Sequence, residues 1–170
     1  MTEVDAHRAK LAKWLRMAPP ATRLLADEIV TRFIPFFVEA GFREVTCWYG
    51  DSTLAVSGRE IRLEQWNSAT IDSVHMTFDK YRSPRIAISL ARRDRAEPLN
   101  IIRGGYLTTS TREYQSWWGK PWALPLSLWP ARGPTRVVDR LIAIAPQSLA
   151  FLDRGERGPN IGRSTEGIAY

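Results

Sequence analysis

Hydrophobic positions along the chain follow two periods, and the change from one to the other divides the sequence. The first forty residues are spaced helically. Val4, Leu11, Trp14 and Leu15 fall on one side while Arg8, Lys13 and Arg16 lie elsewhere, which predicts a helix resting on a core from Thr2 to about Ala18. Thr2 is its expected cap, with Asp5 three residues on as an imperfect capping box, and Pro19-Pro20 stops it. A second helix is predicted from about Thr22 to Ala40, because Leu25, Ile29, Phe33, Phe36, Phe37 and Ala40 recur opposite Arg23, Asp27 and Arg32. Pro35 should kink it and Gly41 should end it.

Beyond Gly41 the period falls to two. FREVTCWY and REIRLEQW read as strands, and TIDSVHMTFDK with PRIAISLAR reads as a hairpin turning at residues 81–83. Val74, Met76 and Phe78 in one arm and Ile86, Ile88 and Leu90 in the other give the hairpin one apolar face and one polar face, the pattern of an antiparallel sheet covered on one side. LNIIRGGYLT adds a strand, with Gly104-Gly105 as a bulge or bend. Residues 135–152 return to helical spacing, and Pro146 is expected to divide them into two short helices. The fold expected is α+β, with an N-terminal helix pair and C-terminal helices packed on one face of a mostly antiparallel sheet. Residues 1–153 form a single domain and 154–170 a loose tail.

Four tryptophans crowd into QSWWGKPWALPLSLWP, residues 115–130. Gly119, Pro121, Pro125 and Pro130 exclude a helix. WALPLSLW alternates, so it is expected as an edge strand with Trp122, Leu124, Leu126 and Leu128 inward, since Pro125 cannot donate to a ladder. Trp129 and one of Trp117 and Trp118 are then candidates for exposure beside Arg112 and Lys120. Exposed indole next to cations is the composition of interaction hot spots.

A chain of 170 residues with one cysteine, Cys47, holds no internal disulfide and no multi-cysteine zinc site, which fits a reducing compartment such as the cytoplasm. The amino terminus is charged throughout, unlike a signal peptide, and no apolar run approaches the roughly 20 residues of a membrane span. Net charge is +6, and segment 81–120 alone carries +5, which raises nucleic acid as a partner. Of the 24 basic residues 20 are arginine, suited to bidentate contact with carboxylate or phosphate and equally to a GC-rich genome.

The chemical motifs fail on geometry. GDST (50–53) and DSVH (72–75) resemble the serine and Asp–His blocks of the GDSL/SGNH hydrolases. In a strand, however, Asp72 and His75 project to opposite faces, and the other blocks of that family are missing. His75 and Asp79 share a face about 13 Å apart, too far to form a dyad. A Cys47–His75 pair requires neighbouring strands to align them. His7 and His75 give no metal-ligand spacing, GERGPNIG lacks the lysine of a phosphate loop, and RGGYLTTST, which resembles ADP-ribosyltransferase elements, has no downstream E-x-E. No cofactor and no metal are expected.

EAGFREV after a helix, FDKYRSPRIAISL as a hairpin and a loop-rich aromatic segment together resemble small bacterial domains encoded beside toxins, including immunity proteins. The likeness covers the layout of residues 22–110 and transfers no functional residues. It implies a non-enzymatic cytoplasmic protein that covers a partner, and the basic balance here suits an acidic toxin surface. The expected contact residues are Trp117, Trp118, Trp129, Arg112 and Lys120, followed by Tyr81 and Arg82 at the hairpin tip. A nucleic-acid-binding domain using residues 81–120 is the alternative, and a hydrolase of unknown class the third reading.

Overall fold

The computed structural model describes residues 2–48, 51–109, 117–121 and 124–163, with the backbone alone for residues 48, 51–54 and 163. The fold is α+β. Helix α1 (Glu3–Arg16) begins with a complete capping box: Asp5 N donates to Thr2 Oγ1 at 3.1 Å, and Thr2 N donates to Asp5 Oδ2 at 2.7 Å. Helix α2 (Pro20–Glu28) runs through a π turn (Ile29–Phe33) into α3 (Ile34–Glu39). The expected single helix is therefore one helical run with its irregularity ahead of Pro35. In the π turn Ile34 N reaches back to Ile29 O, and this wider register comes one residue before the proline that has no N–H to give.

Residues 133–154 are not two helices. Helix α4 (Gly133–Arg154) passes unbroken through Pro146. The proline lies on the exposed side, where the carbonyl it leaves unengaged can be hydrated. Leu141, Ala145, Ser148, Phe151 and Leu152 pin the helix to the core on either side.

The main sheet has seven strands, all paired antiparallel: β1 (Arg43–Val45), β4 (Glu60–Trp66), β5 (Thr70–Phe78), β6 (Arg85–Asp94), β7 (Ile101–Leu107) and β9 (Ile161–Arg163) in that spatial order, with β8 (Trp118–Gly119) beside β6. FREVTCWY divides after Val45. Its second half, β2 (Cys47–Trp48), leaves the sheet and pairs with β3 (Asp51–Ala55) in a two-stranded ribbon. Both β7 and β8 occupy the same edge of β6: Tyr106 faces Ser89, and after residues 108–117 Trp118 faces Ile86.

Register places Ile61, Leu63, Val74, Met76, Phe78, Ile86, Ile88 and Leu90 on one face. These side chains form the core with Leu11, Leu25, Ile29, Phe33, Phe37, Val138, Leu141 and Phe151 from the helices, so the helical layer covers this face. Gly105 permits the approach of α4, since a Cβ there would stand 3.1 Å from the Phe151 ring. Among the described residues no helix is long and apolar enough to cross a membrane.

Two further expectations are overturned. The edge strand drawn over 122–129 is not one: Leu126–Leu128 is a 3₁₀ turn following Pro125, and Leu126 and Leu128 are exposed instead of inward. Trp122, expected in the core, lies outside the described residues. The segment after 153 is not uniformly loose either, because Ile161–Arg163 pairs with Gly105–Leu107. Asn160 anchors it: its side-chain nitrogen donates to Thr108 O at 2.9 Å, and its backbone N donates to Gln147 Oε1 at 3.0 Å. That tie joins residues distant in sequence, which composition does not reveal.

Gly119 adopts φ +135°, and a Cβ there would fall 2.0 Å from Pro84 O. Gly119→Ala is therefore expected to destabilise the fold by about 2 kcal/mol or more, read as a lowered urea midpoint at unchanged m; an unchanged midpoint would count against this packing.

Candidate functional site

The tryptophan segment is partly a structural staple. Trp118 is 2% exposed, donates Nε1–H to Leu107 O at 2.9 Å and packs in the helical core. Lys120 is 9% exposed; its Nζ donates to the carbonyls of Pro121 and Leu124, and its backbone N donates to Pro84 O at 3.1 Å. Both were expected as contacts and both are internal: β8 sets Trp118 against the edge of β6, and Lys120, the residue after it, is tied there through Pro84 O and Arg85 Nε. Trp129 is part-buried against Gly133, where a Cβ would meet the indole at 2.6 Å, and Trp117 is part-buried. Arg112 lies outside the described residues.

The β5–β6 tip presents the opposite picture. Tyr81 is 71% exposed, with Lys80 Nζ 4.9 Å over its ring. The turn beneath it is locked. Tyr81 N donates to Asp79 Oδ1 at 3.1 Å, Arg82 N to Asp79 O at 2.8 Å and Thr22 Oγ1 of α2 to Arg82 O at 2.6 Å. The guanidinium of Arg82 lies 5.8 Å over the Trp14 ring of α1. Arg82 also has φ +60°, the single positive-φ residue other than glycine among those described. A left-handed backbone costs roughly 1–2 kcal/mol for a residue with a Cβ, so the tip holds its shape against an intrinsic preference.

Most cations of the basic segment are spent inside the molecule. Arg85 Nε donates to Lys120 O at 2.6 Å. Arg92 forks onto Asp72 at 2.6 and 2.7 Å and reaches Asp153 O at the end of α4, while Arg103 Nη1 donates to Phe151 O and Leu152 O. Arg93 donates to Pro98 O and Arg95 to Asn67 O. Cations directed at carbonyls and carboxylates of their own chain do not form a phosphate-binding stripe.

The second face of the sheet is not open, contrary to the pattern of one covered side. Register sets Val45, Arg62, His75, Ser89 and Tyr106 in one row across five strands, with Glu64 and Ser73 in the next. Arg62 is 1% exposed, and Glu64, Ile71, Ser73 and Tyr106 are also buried. Arg62 Nε donates to Glu64 Oε1 and Trp66 Nε1 to Glu64 Oε2, both at 2.8 Å, so a charged ladder runs along β4. His75, which sequence spacing left without an acid, has one across the strand pair: its Nε2 lies 3.5 Å from Glu60 Oε2. Glu60 is two residues from Arg62 and is found only through register.

That pair does not make a hydrolytic relay. The nearby hydroxyl, Thr77 Oγ1, is 3.4 Å from the same Nε2 that faces Glu60. A relay needs acid and nucleophile on opposite ring nitrogens. Cys47 sits in the separate ribbon, and the Ser52 side chain lies outside the described residues. The other histidine, His7, donates Nε2–H to Glu60 O at 2.8 Å, fixing α1 to β4. Among the described residues no group of three or more His, Cys, Asp or Glu is placed to hold a metal ion. No family model, curated protein or solved structure matches the chain.

Glu60 is held down at about 2, chiefly by its hydrogen bond to His75, against the upward push of partial burial. Its folded value lies below the ordinary 4.5, so the stability this pair confers is complete above that value and is lost as pH falls toward 2. The urea midpoint of Glu60→Gln should fall less steeply than that of the wild type across this window; parallel slopes would show that the pair contributes nothing.

Proposed function

We propose that this chain is a non-enzymatic protein-binding domain whose helical layer and sheet hold the β5–β6 tip out as a rigid contact element. The observation that carries the reading is Tyr81, a large aromatic 71% exposed on a turn fixed from both α1 and α2. A tyrosine presented on a locked turn offers wide contact area with little conformational entropy left to lose on binding. The part-buried Trp117 and Trp129 and the exposed Leu126 and Leu128 belong to the segment that Lys120 fastens beside the base of the hairpin. Nucleic acid is the weaker reading, since the arginines that raised it mostly bond their own chain. Among the described residues the polar face of the sheet does not set acid, base and nucleophile in the order of a hydrolase.

In its finer form the reading makes the partner a toxin and this chain an immunity-type inhibitor working in the cytoplasm, as the resemblance of the layout implies. The experiment is a pull-down from cells that make the protein, comparing wild type with Tyr81→Ala. Loss of a specific partner, at an unchanged urea midpoint, supports the tip as the contact; equal capture removes it. If the captured partner is toxic when expressed, wild type should protect cells and Tyr81→Ala should protect them poorly.

A further inference from the structure

Residues 6–26 and 80–93 contain no aspartate or glutamate, and the fold brings parts of the two stretches to one corner. The first holds most of α1 and the turn into α2. The second opens with the hairpin tip. They meet where Arg82 stacks on Trp14 and Thr22 bonds Arg82 O. Beside that junction Lys13, Arg23 and Lys80 are exposed, and Arg82 is part-buried. The one carboxylate at the base of the tip, Asp79, is 3% exposed and faces inward, with its Oδ1 taken by Tyr81 N. Four cations thus gather at this corner, with Asp27, exposed one helical turn beyond Arg23, as the first acid along α2.

The corner is also apolar in places. Met17 is 74% exposed and lies one helical turn beyond Trp14, its N bonded to Trp14 O. With Tyr81 it supplies two large exposed side chains among the cations.

We infer that the corner between the α1–α2 turn and the β5–β6 tip is the docking surface for an acidic, partly apolar segment of a protein partner. This rests on the protein-binding reading above and adds the chemistry of the partner. Carboxylates pair with the exposed ammonium and guanidinium groups and steer approach, while Met17 and Tyr81 take the apolar side chains. A nucleic acid fits the corner less well. Single strands are held in grooves with aromatic faces free to stack, whereas this corner has a projecting tip. One face of Tyr81 carries Lys80, and Trp14 carries Arg82.

The test uses the full chain and fluorescence anisotropy with three labelled probes: a peptide alternating Glu with Leu and Phe, the same peptide with Gln for Glu, and a single-stranded oligonucleotide. The Glu peptide is expected to bind, the Gln peptide to bind at least about tenfold more weakly, and Lys13→Glu/Lys80→Glu to weaken the Glu peptide by at least about tenfold. Both substitutions are at exposed positions, and a circular dichroism melt checks the fold. No binding of the Glu peptide, equal binding of both peptides, or an unaffected double variant overturns the inference. Tighter binding of the oligonucleotide than of the Glu peptide overturns it in favour of a phosphate-binding corner. The two readings fail separately in the pull-down: a partner lost on Tyr81→Ala but kept by the double variant removes the acidic docking surface and leaves protein binding standing. Capture unchanged in both removes both.

Discussion

Arg92 and Arg103 reach from the middle of the sheet to the last carbonyls of α4, and much of the architecture depends on that clasp. The final turn of any helix leaves carbonyl oxygens without partners and accumulates partial negative charge. Here two guanidinium groups answer both needs at once, and Arg92 is held by Asp72 from the neighbouring strand. Similar contacts recur where other segments end. Arg59 takes Phe78 O, Arg85 takes Lys120 O and Lys120 closes on Pro121 and Leu124. The arginine-rich composition is to this extent a framework of side chains bonded to backbone, and what remains at the α1–α2 corner is the smaller part of the charge.

The elements with strong local signals were legible in the sequence. The capping box of α1, the hairpin with its alternating Val74, Met76 and Phe78, and the strand through Gly105 depend on neighbours within a few residues. The misreadings share a different cause. Trp118 and Asn160 owe their environments to partners distant in the chain, and no local period reports those. WALPLSLW alternates as a strand should, yet Pro125 and the clamp of Lys120 on the Leu124 carbonyl set a 3₁₀ turn in its place. Tyr81 was legible as a hairpin tip. Glu60 opposite His75 was not, because the pairing appears only when β4 and β5 are set in register.

Burial on both faces of the sheet narrows where a partner can approach. The helices occupy one face, and on the other Arg62 and Glu64 are already withdrawn from water. A buried ion pair of this kind adds little net stability, since desolvation offsets most of its attraction, but removing one partner leaves a buried charge with less compensation. The face is therefore poorly suited to reshaping around a ligand, and the ends of the hairpins become the natural places for contact.

Position 82 places two demands on one residue. Its backbone would be most at ease as glycine, yet glycine has no guanidinium to lay across Trp14. Drift toward the relaxed turn would release stored conformational energy and untether the tip from α1, giving a molecule that is more comfortable when alone and less prepared for company. A sequence that keeps arginine there has accepted a tense loop in exchange for readiness.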